Sequence, residues 1–308
     1  MNGNGAARFA PEEAAHWKRI ATYAAVGVAV ALIAIKAGAW AMTSSVAMLA
    51  SLFDSSLDLV ASGLNLLAVR HALTPADAEH RFGHGKAEAI AGLGQAAVIT
   101  GSMTFLVIES VSRLIQPVAI AQSAIGIAVM LVSLALTIGL VWLQNYVIRR
   151  TASVAISADS LHYVGDIAMN GVVIAALLLA GPLGWIWMDA VGGLVVAAII
   201  AYGAWQILSI AYNQLMDREF DNAERDRIKD IVLANPKVRS MHDLRTRKAG
   251  GDAFIQFHIE LDPEISLVRA HDISDEVEIA VRNAFPEADV IIHQDPEGAE
   301  ENSALAST

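Results

Sequence analysis

The 308-residue chain has no cysteine, which excludes a disulfide scaffold and any thiolate metal site, so a bound metal must be held by His and carboxylate. It also lacks a His-Glu-x-x-His run and an ATP-binding motif, which leaves neither zinc-peptidase chemistry nor ATP-driven work written in it. Charge is scarce in the first two-thirds. Residues 1–214 hold 10 Lys/Arg and 11 Asp/Glu, whereas residues 215–308 hold 11 and 21. Nearly all of the net charge of −11 therefore lies in the last third, and the break near Asn213 separates an apolar part from a water-soluble one. The acidic excess argues against nucleic acid as a partner.

What the first part does have is long apolar runs. A membrane span needs roughly 20 mostly apolar residues, and six stretches qualify, at about 18–41, 46–70, 87–113, 122–148, 154–181 and 185–212. The first run is too long for the h-region of a signal peptide, and five more follow it, so cleavage is not expected. Positive charge sets the orientation. Arg8, Lys18 and Arg19 precede span 1, Arg70, Arg81 and Lys86 follow span 2, and Arg149 and Arg150 follow span 4, whereas the opposite loops are short and nearly uncharged. Both termini are expected in the cytosol.

The soluble part reads as helix, strand, strand, helix, strand. Asp221 or Asn222 caps a helix ending before Pro236. Strands at about 238–247 and 253–261 are joined by Ala249-Gly250-Gly251-Asp252, a hairpin signal. A helix at about 269–284 and a strand from Ala288 to His293 complete an αββαβ order. The expected fold is thus a membrane α-helical bundle of six spans plus a C-terminal α+β domain, metallochaperone-like. Its segments are a cytosolic lead (1–17), the bundle (18–212), the soluble domain (213–296) and a flexible tail (297–308).

Two spans carry residues that hydrocarbon does not tolerate. Span 2 has Asp54 and Asp58, four apart and on one helical face; span 5 has His162 and Asp166 in the same relation, with Asp159 a turn before and Asn170 a turn after. Asp54 lies about 9 residues, roughly 14 Å, from one end of span 2, and His162 about 8 residues, roughly 12 Å, from the opposite end of the antiparallel span 5. Both pairs thus fall near mid-membrane, where each Asp costs roughly 2.5–3.5 kcal/mol. Lys36 is placed near the outer end of span 1, so the balancing charge is expected from a bound cation or protons. Three carboxylates and an imidazole supply the four tetrahedral ligands that Zn²⁺ accepts. Hydrogen bonding between helices does not by itself account for two matched pairs at one depth.

The runs Leu49-Ala50-Ser51-Leu52-Phe53-Asp54-Ser55-Ser56-Leu57-Asp58 and Ala158-Asp159-Ser160-Leu161-His162-Tyr163-Val164-Gly165-Asp166 resemble those of the cation diffusion facilitators, and among them the bacterial YiiP-type zinc/proton antiporters. So do Phe82-Gly83-His84-Gly85-Lys86-Ala87-Glu88, His242-Asp243-Leu244-Arg245-Thr246-Arg247 and Val290-Ile291-Ile292-His293-Gln294-Asp295-Pro296, so the resemblance covers nearly the whole chain. It implies that Asp54, Asp58, His162 and Asp166 form a transport site in the form associated with Zn²⁺, Cd²⁺ and sometimes Fe²⁺, in a homodimer of a bacterial inner membrane. For Asp77, His80 and His84 it implies a second metal site in the loop after span 2; a solvated basic loop is the alternative. For the soluble domain (213–296) it implies metal binding and dimerisation, through a paired-metal site at a dimer interface from His242, His258, His271, His293 and Asp295, with the Gln294 carbonyl as a further candidate. It also implies an ion pair between Lys86 and Asp217.

The residues themselves support the soluble-domain site. Ala253, Ile255, Phe257, Ile259 and Leu261 alternate toward a core and turn His258 to the other face. His16 and His71 lie at membrane edges and read as interfacial, and Glu109 and Asp189 as structural. The leading function is secondary active efflux of divalent transition-metal ions, Zn²⁺ first, from the cytosol in exchange for protons. A membrane metallohydrolase is disfavoured because four protein ligands leave no open position for an activated water. A membrane-anchored metal sensor leaves the buried polar residues of spans 2 and 5 unexplained.

Overall fold

The computed structural model describes residues 9–43, 46–116, 124–183 and 188–298. Arg8, most of the expected outer loops and the tail beyond residue 298 fall outside these. The chain divides into two compact units, with the boundary between Tyr212 and Asn213.

Among the described residues the first unit is built from six long helices: α1 (Pro11–Thr43), α2 (Val46–Ala72), α3 (Lys86–Ile115), α4 (Ala124–Thr151), α5 (Val154–Leu183) and α6 (Met188–Leu215). Among the described residues α1, α2, α3, α4 and α6 contain stretches long and apolar enough to cross a membrane. The remaining long helix, α5, has 30 residues and carries Asp159, His162 and Asp166. Small side chains let the helices approach, because association in lipid depends on close packing rather than on expelling water. Ala21, Ala25 and Ala29 form a fully buried stripe along α1. Ala21 packs among Val69 of α2, Val147 of α4 and Ala155 and Ile156 of α5. A Cβ at Gly92 of α3 would lie 2.7 Å from Val154 Cγ1, and one at Gly203 of α6 would lie 2.8 Å from Leu161 Cδ1. Either glycine therefore sets how near α5 its neighbour can come.

One polar contact in this unit has no local signature in the sequence. Lys18 and Glu88, both buried, pair at 2.6 Å, and the Ser153 hydroxyl donates to the second Glu88 oxygen, also at 2.6 Å. Helices α1 and α3 are joined there to Ser153, the residue just before α5, whose hydroxyl also accepts from the Ile156 N–H, by groups that hydrocarbon alone would not hold.

The second unit begins with α7 (Asn222–Leu233), capped by Asp221, whose carboxylate accepts from the Glu224 N–H at 2.8 Å. Strands β1 (Ser240–Ala249) and β2 (Asp252–Leu261) pair antiparallel, α8 (Leu267–Ala284) follows, and β3 (Ala288–Pro296) pairs parallel to β2. The sheet order is β1-β2-β3. Ala253, Ile255, Phe257, Ile259 and Leu261 face a core closed by Ile228 and Val232 of α7 and Ile273, Val277 and Val281 of α8. Both helices thus cover one face of the sheet, and the other face is free to carry polar side chains.

Breaking a buried ion pair on one side leaves an uncompensated charge, at about 3–5 kcal/mol. Glu88→Leu is therefore expected to lower thermal stability in detergent more than the double variant Lys18→Met/Glu88→Leu. A double variant less stable than the single would show that the pair is not what holds these helices.

Candidate metal centres

Helices α2 and α5 bring Asp58, His162 and Asp166 together: one ligand atom from each lies within 4.8 Å of the others. His162 Nε2 is 2.8 Å from Asp58 Oδ1 and 3.9 Å from Asp166 Oδ2. Asp58 is buried, while His162 and Asp166 are partly so. Asp54 is not in this group and is exposed. Four residues along a helix advance about 6 Å and overshoot a full turn by about 40°, so Asp54 stands one turn away from the level of His162.

The sequence reading placed Lys36 away from this level. The structure instead brings its ammonium onto α2, where it donates to Ser55 Oγ at 2.7 Å and Ser51 O at 3.3 Å, residues that bracket Asp54 along the helix. The flexible four-carbon stem lets a lysine from a neighbouring helix reach along the bundle. A fixed positive charge therefore already stands beside the carboxylates.

Behind His162 lies a second buried network. Asp159 accepts from Gln144 Nε2 at 2.7 Å and from Ser62 Oγ at 3.0 Å, and Ser62 is also 3.0 Å from the Tyr163 hydroxyl. Ser62 is one turn beyond Asp58 on α2, and Tyr163 follows His162 on α5. The network ties the two ligand-bearing helices to each other and to α4, as supporting shells do for metal ligands. Asn170 is spent locally, donating to Asp166 O.

The loop between α2 and α3 gathers Asp77, His80 and His84. Asp77 Oδ1 accepts from the His80 N–H at 2.6 Å and the Glu79 N–H at 2.9 Å. The His80 N–H bond, with the Glu79 N–H beside it, holds the Asp77 carboxyl below the usual carboxylate range. His84 Nδ1 faces Thr74 O at 3.3 Å while its Nε2 lies 3.5 Å from Asp77 Oδ2, an arrangement that turns Nε2 toward the Asp77 carboxylate. Gly83, at φ 77°, supplies a turn between the two histidines that a side chain would strain. His71, read as interfacial, has its ring centroid 4.6 Å from that of His84.

On the open face of the second unit, pairing register puts His242 opposite His258 and His258 opposite His293, so three histidines form a row across β1, β2 and β3. Asp295 serves all three: its oxygens lie 2.8 Å from His258 Nδ1, 3.5 Å from His242 Nε2 and 3.2 Å from His293 Nε2. His242, His258 and Asp295 form a group of possible ligands within 4.8 Å, a nitrogen-rich donor set that suits zinc. The ladder shifts register between His242 and Arg245, and Asp243 there has φ 48°. Its carboxylate comes within 3.8 Å of His258 Nε2, as bulges re-aim side chains.

His271 does not join this row. It sits on α8, which packs against the other face of the sheet, and lies 3.6 Å from Asp275 instead. Gln294 likewise points its amide to α8, donating to Ser274 Oγ at 2.7 Å. Asp217 lies 3.4 Å from Arg247 within the second unit, and Lys86 is the first residue of α3. The second unit, expressed alone from about Asn213, is expected to be soluble and dimeric and to bind zinc. His258→Ala and Asp295→Ala should each weaken binding at least about 10-fold; a monomer that binds no zinc at neutral pH would remove this site.

Comparison with known proteins agrees with this division. The model of the cation efflux transmembrane domain matches residues 22–216, and that of the cation efflux protein cytoplasmic domain matches residues 220–297. The chain is 44% identical over 280 residues to the cation-efflux pump FieF of Shewanella oneidensis, across 91% of this chain and 94% of that protein. It is 46% identical over 276 residues to FieF of Salmonella choleraesuis, across 90% and 92%. Among solved structures, the Zn form of CzrB is 32% identical and covers 28% of this chain and 98% of its own, with a TM-score of 0.26. With both of its units matched and both FieF relatives aligned over about nine-tenths of its length, the chain belongs to the cation efflux family, the cation diffusion facilitators, and is a metal-cation transporter of YiiP type.

Proposed function

We propose that the chain exports Zn²⁺ from the bacterial cytosol in exchange for protons, working as a homodimer with both termini in the cytosol. The observation that carries this reading is the meeting of Asp58, His162 and Asp166 on two adjacent helices of an apolar bundle. Asp54 is proposed as the fourth ligand, which requires α2 to turn or slide toward α5 when the ion binds. Oxygen and imidazole donors, in a chain with no thiolate, accept Zn²⁺ and do not by themselves exclude Cd²⁺ or Fe²⁺.

Charge balance supports exchange. With Asp54, Asp58 and Asp166 ionised and Lys36 at Ser55, the site carries a net −2, which one divalent ion neutralises. An empty site must find that charge elsewhere, because an uncompensated −2 in hydrocarbon is too costly to persist. Protons can supply it on the same groups that bind metal, so loading the ion releases them. The His162–Asp58 contact illustrates the competition. Two ligands on tetrahedral zinc stand roughly 3.4 Å apart, about 0.6 Å more than the 2.8 Å hydrogen bond. Proton and ion thus contest the same Nε2 at a small cost in movement. His162 is the proposed proton carrier, its unperturbed pKa of about 6.5 lying nearest neutrality.

The loop and sheet sites are proposed as cytosolic metal sites, and Lys86 with Asp217 as a pair joining the membrane part to the soluble domain. Swapping the two charges should then rescue what either single reversal breaks.

In vesicles holding the purified protein, Asp54→Ala, Asp58→Ala, His162→Ala and Asp166→Ala should each abolish zinc flux while leaving insertion and dimerisation intact. Near-normal flux in any one of them removes that residue from the site. His162→Asp replaces the only nitrogen ligand with oxygen and should shift preference toward harder ions such as Mn²⁺; unchanged selectivity would contradict the ligand assignment.

A further inference from the structure

Of the two adjacent basic residues near the start of α1, one is spent and one is not. Lys18 turns inward and is neutralised by Glu88. Arg19 turns outward, and with Arg70 of α2 it lines a cavity of about 250 Å³ whose other walls are Thr22, Tyr23 and Leu66. Among the described residues neither guanidinium pairs with a carboxylate, so the cavity holds two uncompensated positive charges. Thr22 is buried and directs its hydroxyl to the Lys18 and Arg19 carbonyls. The donors left for a ligand are the two guanidinium groups and the phenol of Tyr23, which is 56% exposed.

Depth tells what that ligand is. Arg70 lies 12 residues from Asp58 along α2, roughly 18 Å at the helical rise. Half of the roughly 30 Å hydrocarbon core is about 15 Å. If Asp58 is near mid-membrane, Arg70 and the cavity beside it fall just beyond the hydrocarbon boundary, at the level of lipid phosphates. Tyrosine with an exposed ring is at home at that level. The volume lies below the about 300–1,000 Å³ of pockets that enclose drug-sized molecules and suits a headgroup whose acyl chains remain outside. Guanidinium forks match phosphate oxygens in pairs.

We propose that Arg19, Arg70 and Tyr23 form a binding site for the phosphate of an anionic phospholipid in the leaflet on the side of the chain termini. That leaflet is the cytosolic one in the orientation proposed above, but the site itself does not depend on the transported ion. The lipid would lie across α1 and α2 and supply the negative charge that no side chain provides.

The test uses the full chain in uncharged detergent without added metal, titrated with phosphatidylglycerol, phosphatidylcholine or inorganic phosphate and read by native mass spectrometry and thermal shift. Phosphatidylglycerol should bind and stabilise, and the other two should not at equal concentration. Arg19→Gln and Arg70→Gln should each weaken its binding about fivefold, whereas Arg149→Gln, an equal charge loss at the end of α4, should leave it unchanged. The double variant Arg19→Lys/Arg70→Lys keeps the charge but loses the fork and should bind more weakly than the parent. Equal loss in Arg149→Gln, or full binding by the lysine variant, would reduce the site to general attraction and overturn the proposal. So would phosphatidylcholine binding as tightly, or inorganic phosphate displacing the lipid. Zinc flux is measured separately, so failure here leaves the transport reading standing, and failure of that reading leaves this result intact.

Discussion

Four carboxylates, Asp54, Asp58, Asp159 and Asp166, lie in two helices of the membrane unit otherwise built for hydrocarbon, and the rest of the design follows from balancing their charge. In water such a cluster would be ordinary. In an apolar bundle each ionised carboxylate needs a partner, and Lys36 answers only part of that need. The proposed cargo and the proposed counter-ion are the two remaining ways to answer it. With the proposed exchange, in which occupancy by one cation would exclude the other, an efflux protein built this way would need no separate proton channel.

Around this deficit the structure spends its other polar groups on rigidity. Asp159, Gln144, Ser62 and Tyr163 fasten α5 to α2 and α4, and Lys18 and Glu88 fasten α1 and α3 to Ser153, just before α5. The Lys18–Glu88 network balances its charges within the bundle, whereas in the Asp159 network neutral donors meet the carboxylate and, among the described residues, Gln144 Oε1 has no hydrogen-bond partner. The second unit follows the opposite logic. Its sheet buries one face under α7 and α8 and leaves the other to water, where His242, His258 and His293 line up because strand register places them opposite one another. There the row needs no charge balance to persist, and the metal affinity proposed for it would rest on donor type and spacing.

Much of this was legible in the sequence because the signals are local. The apolar runs mark the helices to within about three residues, except that α1 starts at Pro11, seven residues before its apolar run; Asp221 caps α7, and Ala253 to Leu261 alternates as a half-buried strand must. The i,i+4 spacings of Asp54 with Asp58 and His162 with Asp166 mark one face on each of two helices. What the sequence hid is long-range. The Lys18–Glu88 pair joins residues 70 apart, and nothing near either one signals the other. Lys36 was misplaced because helical position fixes a Cα, not where a long side chain ends. His71 was read by its membrane-edge position, and only the fold of the α2–α3 loop sets it against His84. His271 shares its residue type with the histidine row, but α8 lies on the wrong face of the sheet to bring it there within one chain.

The central claim is that metal and protons contend for one set of intramembrane groups. Its most direct test is zinc uptake by vesicles containing the purified protein, with a pH gradient imposed in each direction. The account predicts that vesicles acid inside accumulate zinc against its concentration gradient and that reversing the pH gradient reverses the movement. Uptake indifferent to a pH gradient of either sign would leave a uniporter and contradict exchange.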